Sequence, residues 1–130
     1  MTMCEDLASY LATKLSMTVG NNIFTHQMPS ANQTIICLYQ YGGEPMDLVD
    51  DYEFPQLQVK ARAITALAAL QKLDDVREAL HTLSEEIING TRYLYISASS
   101  SPAYLGTQKL DSGYLMHQFT MNFSVIKEVG

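Results

Sequence analysis

The sequence predicts an α+β domain, a mostly antiparallel sheet of about four to five strands with two helices packed on one face. Three observations predict it. Two segments repeat apolar residues at helical spacing, several shorter ones alternate or run apolar like strands, and the elements are ordered helix, strands, helix, strands. The chain has 130 residues, 47% apolar and 17% charged. That composition suits one domain, residues 1–130, around a single core.

The first helix is read from Met3 to Met17. Leu7, Ala8, Leu11, Ala12 and Leu15 fall on one face and Asp6, Ser9, Thr13 and Lys14 on the other, with Gly20 as the stop. "IFTHQMP" is a short extended piece ending at Pro29, and "TIICLYQY" (34–41) is a buried strand rich in β-branched and aromatic residues. Gly42 to Phe54 reads as an acidic loop inside a span, Lys14 to Lys60, that lacks any intervening Lys or Arg. "PQLQVKARA" then alternates, Leu57, Val59 and Ala61 against Gln56, Gln58, Lys60 and Arg62, as a strand with one wet face does.

The main helix is read across 64–87, where Ala69, Leu73, Val76, Leu80, Leu83 and Ile87 form one stripe. Asn89-Gly90 is its stop, and Asp74-Asp75 offers a second cap within it. "TRYLYISA" is a strand and "SSSPAYLGTQKLDSG" a long connection. The closing strand puts Leu115, Phe119, Met121, Phe123 and Val125 on one face and Gln118, Thr120, Asn122 and Ser124 on the other.

Motif chemistry is sparse. The carboxylates of the acidic loop, Glu44, Asp47, Asp50, Asp51 and Glu53, lack the alternate-position oxygens and central glycine of a calcium loop. They also lack the rigid supports of an acid–base pair. His26, His81 and His117 stand apart with no metal-ligand spacing, and Cys37 has no glycine elbow, although a Cys37/His117 pair is conceivable. Cys4 and Cys37 read as reduced, partly buried thiols of a cytosolic chain. Nothing suggests catalytic residues, a cofactor, a bound metal or a signal peptide, and no apolar run is long enough to span a membrane. The net charge of −6 argues against a general nucleic-acid binder. Tyr93, Tyr95, Tyr104 and Tyr114 gather about the second long connection, where tyrosine serves equally as core or as interface. Two long connections with no catalytic signature point to partner binding.

Pro55, Leu57, Gln58, Val59, Arg62 and Ala63 before the long helix, then Pro102, Leu105 and Gly106, then Asn122, Phe123 and Val125, form a pattern over most of the chain. It resembles the tail terminator and minor capsid (head–tail joining) proteins of long-tailed bacteriophages. Gln108 and Tyr114 stand where such proteins often carry an Asp and an Arg. The resemblance implies a non-enzymatic virion protein of the phage neck, assembled in the host cytoplasm. It would form a ring, six subunits in such proteins, at the head-proximal end of the tail tube. Its partners would be further copies of itself, the tail tube protein and the head–tail connector or stopper protein. DNA would pass through the lumen without specific binding, and no membrane would be involved. Glu44, Asp47, Asp50, Asp51, Glu53, Tyr104, Gln118, Thr120 and Asn122 are then candidates for lining the channel or an interface, since carboxylates repel phosphates and uncharged polar faces suit subunit packing. A stopper on the connector side, and a small α+β ligand-binding or hydrolytic domain, are the alternatives.

Overall fold

A computed structural model describes residues 2–30, 33–47 and 51–129, with backbone only for 43–47. Nine elements follow in order: α1 (Met3–Leu15), β1 (Ile23–Thr25), β2 (Ile35–Asp47), β3 (Tyr52–Ala63), α2 (Ala66–Leu80), β4 (Leu83–Ile88), β5 (Thr91–Ala98), β6 (Ala103–Lys109) and β7 (Leu115–Glu128).

The expected sheet is corrected in number, pairing and shape. Seven strands form one curled, half-barrel sheet ordered β1-β2-β3-β7-β5-β4, with β6 paired to β7. It is mixed, because β1 runs parallel to β2 while the other pairings are antiparallel. Three segments account for the difference. The stretch read as the end of the main helix is β4, the second long connection contains β6, and the acidic "loop" is mostly the continuation of β2 and the start of β3.

Each correction has a local cause. α2 is capped at Thr65, whose side chain accepts from the Ala68 N–H at 3.1 Å, and it ends at Leu80. Thr82 has φ 66°, which breaks the helical path before Leu83. Asn89 (φ 49°) and Gly90 (φ 84°) form the tight two-residue turn of a β4–β5 hairpin rather than a helix stop. Asp74-Asp75 re-caps nothing. The two residues lie within continuous α2 and make surface pairs with Arg77 and Lys72. α1 starts with a Thr2/Glu5 capping box and closes one turn before Gly20, on Ser16 at φ 55°.

β2, β3 and β7 form the middle of the sheet. On one face Ile36, Ala61 and Phe119 share a row, as do Leu38, Val59 and Met121, and Leu57 and Phe123. With Tyr93, Ile96 and Val125 these residues pack against Leu7 and Leu11 of α1 and Ala69, Leu73, Val76 and Leu80 of α2 in one core. Each fully buried Leu, Ile or Phe in it is worth about 1.5–3 kcal/mol. The opposite face carries the rows Ile35–Arg62–Gln118, Cys37–Lys60–Thr120, Tyr39–Gln58–Asn122 and Tyr41–Gln56–Ser124. Two residues assigned to wet faces are buried: Asp6 at 1% and Arg62 at 2% exposure. Leu115, assigned to the core face, is 56% exposed, while its neighbour Met116 is buried.

Candidate functional site

The proposed site residues fall on two regions. The first is the β2–β3 hairpin. Glu44 and Asp47 lie in β2 opposite Phe54 and Tyr52. Their side chains, and Asp50 altogether, lie outside the described residues. Asp51 is exposed in the turn at φ 55°, and its carbonyl accepts from the Val129 N–H at 2.9 Å. Glu53 has a structural partner, since its Oε2 lies 2.8 Å from Nζ of Lys127, a lysine 4% exposed. Lys127 Nζ also donates to the Glu128 carbonyl at 2.9 Å. Glu53 therefore neutralises a buried ammonium that would otherwise stand desolvated.

The second region is the polar sheet face and the β6–β7 hairpin beside it. Gln118 Nε2 donates to Gln108 Oε1 at 2.8 Å, and that same oxygen accepts from Arg62 Nη1 at 3.2 Å. Arg62 also donates to the Pro29 carbonyl. Arg62 thus ties β3 to β6 and to the segment after β1, an anchoring role that alternation alone did not disclose. Thr120 Oγ1 and Asn122 Oδ1 are buried without a partner among the described residues. The Asn122 backbone N–H donates to Ser100 Oγ at 3.0 Å, holding the β5–β6 link. Tyr104 rests on Phe119 with ring centroids 5.0 Å apart, and its hydroxyl is 2.9 Å from His117 Nδ1. Half of Tyr104 remains exposed.

Lys60 Nζ sits 5.2 Å from the centre of the Tyr39 ring, a cation–π contact, and His26 meets the same ring edge-on. Burial, then the neighbouring Cys37, raises the Tyr39 pKa. Cys37 and His117 are not brought together. They lie two strands apart and out of register, Cys37 in the Lys60–Thr120 row and His117 opposite Ala63. Burial raises the thiol pKa of Cys37, and burial pushes that of Cys4 up to about 12. Both thiols are therefore held protonated and inert as nucleophiles. His81 Nδ1 accepts from the Ala98 N–H at 2.9 Å, fastening the end of α2 to β5.

Another buried polar group lies on the core side. Tyr93 Oη donates to Asp6 Oδ2 at 2.8 Å and Asn89 Nδ2 to Asp6 Oδ1 at 3.1 Å. Asp6 thereby joins α1 to β5 and to the β4–β5 turn. Among the described residues no cluster of three or more His, Cys, Asp or Glu is placed to hold a metal ion. Among the described residues no helix is long and apolar enough to cross a membrane.

The arrangement presents a polar sheet face, an acidic hairpin and an exposed β6–β7 arm. The family model described as bacteriophage tail terminator protein matches residues 10–126, from within α1 almost to the end of β7. A comparison with curated protein sequences returned no match.

Proposed function

Because this chain belongs to the bacteriophage tail terminator family, and is thus a structural protein of the phage tail, we propose that it forms a six-membered ring at the head-proximal end of the tail tube. There it ends tube polymerisation and presents the surface to which the filled head is joined. The observation that carries this reading is the breadth of the family match, which takes in residues 10–126 and so the end of α1, all of α2, strands β1 to β6 and most of β7. Assembly takes place in the host cytoplasm, and the finished ring becomes part of the virion neck.

The physical character of the surfaces supports the role. A conduit for DNA must not grip phosphates, because each Lys or Arg contact adds affinity through counterion release. The net charge of −6 and the carboxylates of the β2–β3 hairpin oppose such gripping. Asp51 and its neighbours are the groups we assign to the channel or to a neighbouring subunit, whereas Glu53 acts chiefly within its own fold.

Loss of the protein during infection tests this directly. A phage with a stop codon early in the gene should accumulate tails of abnormal and variable length together with filled heads lacking tails. Tails of normal length attached to heads would refute the role.

A further inference from the structure

The charges of this chain are unevenly placed. No Asp, Glu, Lys or Arg occurs at 15–43, 93–108 or 112–126. These segments build β1, most of β2, and nearly all of β5, β6 and β7. The sheet has two levels. At one, Phe24, Cys37, Lys60, Thr120 and Ala103 lie in a single row across β1, β2, β3, β7 and β6. At the other, the far half of β2, the start of β3, the end of β7, then β5 and β4 lie side by side.

The lateral edges of the second level are defended against pairing. β4 carries Glu85 and Glu86, with Glu85 at φ 53° and clamped by Arg92 at 2.8 Å, and the far half of β2 carries Glu44, Pro45 and Asp47. Charges, proline and irregular backbone on an edge strand are the usual barriers to edge-to-edge association. The edges of the first level are nearly without charge, although β6 is irregular at Gly106 (φ 99°) and β1 is followed by His26 at φ 61°. Among the described residues β6 has one edge on β7 and no strand on the other, both its faces are largely in solvent, and only Lys109 at its tip is charged. Tyr104, Leu105, Tyr114 and Leu115 of this arm are each about half exposed. At the opposite margin Val19, 53% exposed, and Phe24, Thr25 and Pro29 line a shallow depression beside β1. The exposed Tyr104, Leu105 and Leu115 of one margin and Val19 of the other are large and uncharged, with formal charge only at Lys109 and Asp111 near the tip of the arm, a composition nearer to that of interface cores than of free surface.

We infer that the β6–β7 arm of one copy docks against the β1 margin of the next copy, head to tail, with Leu105 and Tyr104 seated over Val19, Phe24 and Pro29. The inference rests on the ring reading and specifies its subunit contact. Strand direction agrees, since β6 runs opposite to β1 when both are followed through β2, β3 and β7, so copies sharing one strand direction meet antiparallel. The two surfaces differ, so each copy uses both, and a contact of that kind propagates until it closes into a ring.

The test uses Val19→Asp, which blocks one margin, and Leu105→Asp, which blocks the other, with Leu67→Asp on exposed α2 as control. Native mass spectrometry in solution and electron microscopy on tail-tube ends report assembly. Thermal melts confirm folding, and Leu115→Asp replaces Leu105→Asp if the latter does not fold. Wild type and control should assemble, and each margin variant alone should lose every species above monomer. The two variants mixed should form a one-to-one dimer and nothing larger, since one intact contact remains between them. Margin variants that assemble like the wild type would overturn this inference and leave the ring reading standing. So would a Leu105→Asp variant that assembles but no longer holds the tube. A wild type that assembles neither in solution nor on tube ends would overturn the ring reading itself.

Discussion

Tyr93→Phe removes a single oxygen atom from the fold and leaves Asp6 short of a donor. Asp6 is 1% exposed and Tyr93 fully buried, so water cannot readily replace the 2.8 Å bond from the hydroxyl. A buried acceptor left unsatisfied costs about 1–3 kcal/mol, toward the upper end when it is charged. Asn89 still donates to the other carboxylate oxygen, which leaves about 2–3 kcal/mol. Unfolding entropy near 2.1 cal/mol/K per residue gives about 0.27 kcal/mol/K for this chain. The midpoint should therefore fall by about 7–11 °C. Calorimetry at pH 7 reads the shift, and a double-mutant cycle with Asp6→Ala should return a coupling of at least about 1 kcal/mol. A Tyr93→Phe midpoint within about 2 °C of the parent would refute the reasoning that Asp6 depends on this bond.

Three further outcomes follow from the same structure. Leu80→Asp puts an unpaired charge at a fully buried core position and should destabilise by about 4 kcal/mol or more. A parent-like melt would show that Leu80 does not face the core. Glu53→Gln leaves the buried Lys127 ammonium with neutral carbonyl acceptors and no countercharge and should cost about 1–2 kcal/mol, discounted because Glu53 is itself partly exposed; Asp51→Ala, on an exposed turn, should melt like the parent. Finally, folding raises the pKa of Cys4, Cys37, Tyr39 and Tyr93, each chiefly through burial. The unfolded chain releases these protons first as pH rises past about 9, where the unfolded thiols titrate. It then binds fewer protons than the folded chain, so stability is full below pH 9 and falls above it, by up to about 1.4 kcal/mol per pH unit for each group. Urea titrations from pH 7 to 11 check this, and a flat profile would contradict it.

Much of the fold was legible where one local signal acted alone. The alternation of Leu57, Val59 and Ala61 against Gln56, Gln58 and Lys60 matches the β2–β3–β7 rows, and the α1 stripe of Leu7, Ala8 and Leu11 is buried as its spacing requires. The errors arose where two signals coincide. Leu83 and Ile87 continue the helical stripe of α2, yet, being of the same parity, they also fit one face of a strand ahead of Asn89-Gly90, and the hairpin wins because Thr82 has already left the helix. "GGEP" reads as a breaker, but proline is tolerated where a strand edge is unpaired, and among the described residues β2 has no strand on its other side there. Pro55 likewise sits in a gap of the β3–β7 ladder, between the Glu53–Lys127 and Gln56–Ser124 pairs, which keep one register. β6 is short, polar and flanked by serines, and only its partner β7 makes it a strand. Of the site, the uncharged face of β7 was legible from alternation. The ties of Glu53 to Lys127 and of Arg62 to Gln108 were not, because they join residues 74 and 46 positions apart.

The proposed role is to close the growing end of a tail tube. Purified protein mixed with preassembled tubes and free tube subunits, viewed by electron microscopy, tests it most directly. A ring should stand at one end of each tube, with no further elongation from that end. Tubes that lengthen from both ends as they do without the protein, with no ring at either tip, would contradict it.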